Sequence, residues 1–269
     1  MITGNWQIGL DIQSDNIFAV GVVRCRQGWQ LRRWWQIPLV GCGADAQSLA
    51  PAERLRRGLA GWHKLLPYRH RLRVSFPAGR TLQRQVAAPP RSLNEAQLGG
   101  YVAQSAIQQL QIVAEPLYWD YAPRVGEVGV IDVTGGRKSE ITSLQNTLSS
   151  LHLRPEAMVP DACALQSFLP WLAQSPAPWL VYATAHQWLW AGAERWGMYE
   201  RQHCPTLADL CQRLGCSDGD IWLCDREPTA AAVNRFDPWC VFAQLQPPLP
   251  TRGGDFAVAI GLAIGSIAG

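Results

Sequence analysis

The chain has no C-x-x-C pair, although it carries eight cysteines. Zinc modules hold their metal with closely spaced Cys and His pairs. The run His203, Cys204, Cys211, Cys216 and Cys224 keeps none of those spacings. No metal site is expected there, and the thiols are expected to be reduced and mostly buried, as in a cytoplasmic protein. Lysine is scarce, with only Lys64 and Lys138. The opening Met1-Ile2-Thr3-Gly4-Asn5 has no basic segment before an apolar run, so a secretory leader is not expected. The longest apolar run, Phe256 to Gly269, has 14 residues. A bilayer span needs roughly 20. Within that run Gly261 and Gly265 form a small-xxx-small pair, which suits a buried helix packed closely on a neighbour. Low-complexity segments are absent. So are catalytic sets: His63, His70, His152, His186 and His203 are scattered, and none stands in a nucleophile or metal motif. Gly135-Gly136-Arg137-Lys138 lacks the spacing of a phosphate loop and reads as a turn before a helix.

What is present is core-building material. The 269 residues are 48% hydrophobic, enough for one large or two modest domains. Charge is unevenly spread. Residues 1–91 hold thirteen Arg and one Lys against Asp11, Asp15, Asp45 and Glu53, while the remainder is net acidic. Such a basic first third suits a solvated Arg-rich face. It also leaves open contact with nucleic acid, an anionic lipid surface or an acidic partner. The stretch of Arg54, Arg56, Arg57, Lys64, Arg69, Arg71 and Arg73 is where that contact would fall. Trp188, Trp190, Trp196 and Trp222 read as core, with a base-stacking platform as the alternative.

Periodicity sets the elements. Trp6–Ile12, Ile17–Arg24 and Gln30–Leu39 read as a strand meander, with Trp34 and Trp35 on opposite faces. Ala50–Leu66 reads as one amphipathic helix with Leu55, Leu59, Trp62 and Leu66 in a stripe. Leu72–Phe76 and Thr81–Val86 are strands. Ser92-Leu93-Asn94-Glu95 is a capping box opening a helix to about Gln111. Strands over Pro116–Tyr121 and Val128–Val133 and a helix over Lys138–Leu151 follow. Then come a strand at Arg154–Val159, a helix at Ala162–Leu172 capped by Asp161, and a second meander over Trp179–Thr184, Gln187–Gly192 and Gly197–His203. A helix at Leu207–Leu214, a strand at Asp220–Cys224, a helix at Thr229–Asn234 and a last helix at Phe256–Ile267, capped by Asp255, complete the chain. A meander with helices thus occurs twice, which suggests a duplicated α/β core.

This layout resembles the PilM/HofM family of actin-like cytoplasmic proteins of type IV pilus assembly. The resemblance rests on the Ile8–Val23 hairpin, on Phe76-Pro77-Ala78-Gly79-Arg80-Thr81-Leu82-Gln83-Arg84 and on Glu115–Tyr121. It rests also on Leu153-Arg154-Pro155 through Leu165, on Asp237-Pro238-Trp239, and on Pro248-Leu249-Pro250 with Gly253–Ala263. It implies an actin-like, ribonuclease H-like fold of two α/β halves with a small inserted α+β subdomain. The first half would be residues 1–78 completed by 255–269, the insertion about 79–152, and the reduced second half 153–254. It also implies a nucleotide site, and here the residues depart from the family. The turn glycine is replaced by Gln13 and the strand lysine by Phe18. The second Asp-X-Gly falls on Tyr182-Ala183-Thr184, and the adenosine Gly-Gly on Cys224-Asp225-Arg226-Glu227. A glycine turn lets backbone amides approach a phosphate. Asp11, Ser14 and Gly261 would be the remnant of that site. The resemblance therefore implies a non-enzymatic adaptor with a degenerate nucleotide site and no resident cofactor. Its partner would be the N-terminal cytoplasmic peptide of a PilN/HofN-type inner-membrane protein. That peptide would dock where the first half meets the insertion, with Phe76, Arg80, Leu82 and Arg84 nearby. Direct nucleic-acid binding is not required. An ATP-binding protein with a rebuilt Asp11–Mg²⁺ site is the competing reading.

Overall fold

The structure, a computed structural model, describes residues 5–39, 50–89, 95–110, 116–124, 129–172, 177–225 and 234–265. The described residues fall into two compact units. The larger comprises Met1–Ala78 with Thr147–Ile267, and the smaller is built on Gly79–Asn146.

In the larger unit, β1 (Trp6–Ile12), β2 (Asn16–Cys25) and β3 (Gly28–Pro38) form the expected antiparallel meander. Strand β4 (His70–Phe76) then joins β1 in parallel, and β8 (Pro155–Pro160) joins β4 in parallel. With the short β14 (Phe242–Gln244) at the far edge, the order is β14-β3-β2-β1-β4-β8. The second sheet repeats this plan. Strands β9 (Trp179–Ala183), β10 (Gln187–Ala191) and β11 (Trp196–Glu200) form an antiparallel meander. Strands β12 (Ile221–Asp225) and β13 (Asn234–Arg235) extend it in parallel from β9, giving the order β11-β10-β9-β12-β13.

One hydrophobic core serves both sheets. Phe18, Val20 and Leu31 of the first and Leu180, Tyr182 and Leu189 of the second share it with helix α6 (Ala257–Ile264). Helix α6 is buried along its whole length, and two glycines let it sit that deep. A Cβ at Gly9 would lie 1.9 Å from the carbonyl oxygen of Ala259, and one at Gly261 would lie 2.4 Å from that of Ala164. The small-xxx-small stripe thus packs the helix, and Gly261 belongs to that packing rather than to a ligand cleft. Arg73 of β4 closes the other end of α6. Only 5% exposed, it donates to the carbonyls of Leu262 and Gly265, and burial lowers its pKa.

The smaller unit is a three-stranded antiparallel sheet, β5 (Thr81–Ala87), β7 (Val130–Arg137) and β6 (Leu117–Pro123), with helix α2 (Glu95–Leu110). Its core is Val86, Val102, Ile131 and Val133. Helix α3 (Lys138–Ser150) follows β7 directly.

Several expectations need correction. Helix α1 (Pro51–Gly58) is short. The chain turns at Gly61, whose φ of +73° is the left-handed region, and resumes as a 3-10 turn at Trp62–Leu65. Leu55, Leu59 and Trp62 are still buried, so the apolar stripe was real and the single helix was not. Gly135 and Gly136 are no turn: they pair with Leu82 and Thr81, and the Trp119 ring covers Gly135. Asp161 is the first residue of the short α4 (Asp161–Ala164), which continues as a 3-10 helix to Trp171. Asp255 is not at the N-cap position of α6, which is Phe256; it lies in the 3-10 turn before the helix. Asn234 is in a strand, and the rest of the helix expected at Thr229–Asn234 lies outside the described residues, as do Ser92–Asn94 of the capping box.

Candidate functional site

The two meanders turn in the same way. In the first hairpin the amide of Gln13 donates to the carbonyl of Asn16 at 3.0 Å. In the second the amide of Thr184 donates to the carbonyl of Gln187, also at 3.0 Å. Two residues before each turn, at matching positions, stand Asp11 and Tyr182. The Gln13 side chain joins them. Its Nε2 donates to Asp11 Oδ2 at 2.8 Å and reaches the Tyr182 hydroxyl at 3.4 Å. Asp11 is 3% exposed and Tyr182 fully buried. Two duplicated hairpin ends are thus bridged by a neutral amide and a phenol.

Asp161 is the member that the sequence did not mark as part of this group. At the end of β8 its Oδ1 accepts from the amides of Ala78 (2.9 Å) and Ala162 (2.7 Å). Burial pushes its carboxyl up to about 7, the nearby Asp11 charge adds to that, and the two amides act against it. No spacing in the sequence links position 161 to positions 11 and 78; only the parallel β1-β4-β8 order does. Ser75, also buried on β4, accepts from the amide of Ile12 at 2.9 Å and fixes the start of the first turn.

The other expected site residues separate. Ser14 is exposed in the first turn. Phe18 faces the core with no exposure and meets Phe256 edge to face at 5.0 Å. Cys224 is buried in β12, and its thiol lies 3.8 Å from the carbonyl of Gly254. Arg226 and Glu227 lie outside the described residues. Phe76 is buried at the end of β4, so its ring is not offered to a partner. Arg80 and Arg84 are exposed and Leu82 is half-buried. Arg80 pairs with Glu140 at 3.4 Å, and Arg84 donates to the carbonyl of Gln83.

The cysteine and tryptophan groups are structural. Among the described residues no cluster could hold a metal ion. Cys211 donates to Asp218 at 3.2 Å, and burial first and then Asp218 push its thiol up to about 12. Trp188 and Trp190 are buried, Trp188 donates to the carbonyl of Cys204, and Arg201 covers the Trp188 ring at 4.4 Å. Trp196 and Trp222 pack against the main core. The buried Trp188 and Trp190 are core residues rather than a platform for bases.

Each sheet runs as a meander followed by strands in parallel, and the duplication of that plan around a shared core defines the actin-like class of fold. Two solved structures match the whole architecture. One is the PilM–PilN type IV pilus biogenesis complex, at 15% identity, TM-score 0.66, over 96% of this chain and 97% of that one. The other is the cytoplasmic domain of EpsL, an inner-membrane component of the type II secretion system of Vibrio cholerae, at 11% identity, TM-score 0.60, over 97% and 95%. No family model matches the chain. The sequence is 34% identical to the DNA utilization protein HofM of Escherichia coli (strain K12), over 97% of each. The chain belongs to the PilM/HofM family.

Proposed function

We propose that this chain is a non-enzymatic cytoplasmic adaptor of a type IV pilus-like or DNA-uptake assembly. In this reading it binds the N-terminal cytoplasmic peptide of a PilN/HofN-type inner-membrane partner and so sits at the inner-membrane face. Full-length alignment with HofM carries the assignment to such an assembly. The likeness to the PilM–PilN complex supports the kind of partner. The described residues include no helix long and apolar enough to cross a membrane, which suits recruitment through that partner.

The Gln13 bridge argues against a nucleotide role. A triphosphate needs backbone amides in open approach, a cation and a metal-holding acid. At the matching places stand a Gln side chain tied to Asp11, a buried Phe18 and the Tyr182 phenol. These residues do not fit an ATP–Mg²⁺ group. Peptide docking needs only main-chain hydrogen bonds and side-chain pockets, and Arg80, Leu82 and Arg84 are the residues offered for it.

The test is titration of a synthetic partner N-terminal peptide. A Kd at or below about 100 µM, weakened in Arg80→Glu and Arg84→Glu, is expected; no binding overturns the reading. Equilibrium binding of ATP with Mg²⁺ is expected to be absent. Tight binding lost in Asp11→Ala would establish the nucleotide reading instead.

A further inference from the structure

We propose that the segment from Trp62 to Arg69 is a membrane-surface foot, which rests on an anionic bilayer through Leu65 and Tyr68 flanked by Lys64 and Arg69. Its geometry is unusual for a solvated loop. Tyr68 is 99% exposed and Leu65 50% exposed, two of the few large apolar residues left in water among the described residues. They stand on a rigid base. Trp62 is buried edge to face against Trp35 at 5.6 Å, and the His70 ring meets the carbonyl of Pro67 at 2.8 Å. The amide of Trp6 donates to the carbonyl of Arg69, which ties the foot to the start of β1.

Charge complementarity selects the occupant. From Arg54 to Arg73 there are seven cations and no acid. Some are already engaged: Arg56 and Arg57 share Glu53, Arg71 pairs with Glu156, and Arg73 is buried under α6. Lys64 and Arg69 are exposed beside the two apolar side chains and make no ion pair with a described residue. Cations held at an anionic lipid surface, with a phenol at headgroup depth and an aliphatic chain just below it, are the elements of interfacial binding. A nucleic-acid backbone would use the cations and gain nothing from Leu65. The foot lies at the N-terminal end of β1, whereas Asp11 and the Gln13 bridge lie at its C-terminal end. Seven residues of strand put roughly 20 Å between them, so lipid contact leaves the hairpin ends free. The inference does not rest on the adaptor reading.

Co-sedimentation of the full chain with vesicles tests it. The protein is expected to pellet with phosphatidylcholine vesicles containing phosphatidylglycerol at low salt, to release as salt rises, and to stay in solution with phosphatidylcholine alone. Each cation at the surface contributes roughly a five-fold gain in partitioning, so Lys64→Glu with Arg69→Glu should abolish pelleting. Leu65→Ser with Tyr68→Ser should weaken it at least about five-fold. Near-UV circular dichroism checks that both variants stay folded. Absence of pelleting on anionic vesicles overturns the proposal. So does pelleting that folded Leu65→Ser/Tyr68→Ser leaves unchanged, or binding to duplex DNA that outcompetes the vesicles.

Discussion

Asp161 shows how one side chain can carry an opposed pair of demands. Its carboxylate would be welcomed by the amides of Ala78 and Ala162, yet burial and Asp11 hold its pKa near about 7. The folded-state value therefore lies above the unfolded one of about 4. Stability from the neutral acid is full below about pH 4 and is lost as pH rises to about pH 7. The unfolding free energy from urea titrations should fall between about pH 5 and about pH 8, by on the order of 3 kcal/mol. Asp161→Asn, which keeps an oxygen for the two amides, should flatten that dependence; a variant as pH-sensitive as the parent would place the titration elsewhere. Gly9 is simpler. An added methyl meets the Ala259 carbonyl oxygen and the Ala263 amide nitrogen, both backbone. Gly9→Ala should cost about 3 kcal/mol, read as a lowered denaturation midpoint.

Among the elements, α6 depends most on a remote residue. Its last carbonyls have no partner within the helix, and Arg73 from β4 satisfies the buried one of Leu262 and the part-buried one of Gly265. Arg73→Met keeps the bulk and orphans those carbonyls, and should cost about 2 kcal/mol. Arg71 lies two positions away on the same strand, on the surface, paired with Glu156 at half exposure. Arg71→Met should change stability by less than about 0.5 kcal/mol. Equal losses in the two variants would contradict the capping role. Both arginines look alike in the sequence, as members of one basic run, and their two-residue spacing puts them on the same face of the strand; only the position of α6 separates them.

The two sheets of the larger unit share one core, so they are expected to open together. Leu180→Ala in the second sheet should cost about 3 kcal/mol and speed amide exchange in the first sheet as well. Val133→Ala in the smaller unit should speed exchange only within Gly79–Asn146, because that core is its own. Exchange gains confined to the second sheet in Leu180→Ala would show that the halves open independently.

Strand positions were legible because alternation and the turn residues at Gln13–Asn16 and Thr184–Gln187 are local. The buried small-residue helix could be read the same way. The amphipathic stripe from Leu55 to Leu66 was legible too, but not its break at Gly61, since a stripe reports which face is buried and not whether the backbone is continuous. Contacts between distant segments were decided only by the tertiary structure. Asp161 reaches Ala78, Gln13 reaches Tyr182 and Arg73 reaches Gly265 through sheet order and a shared core, and neither is encoded in any single stretch of residues.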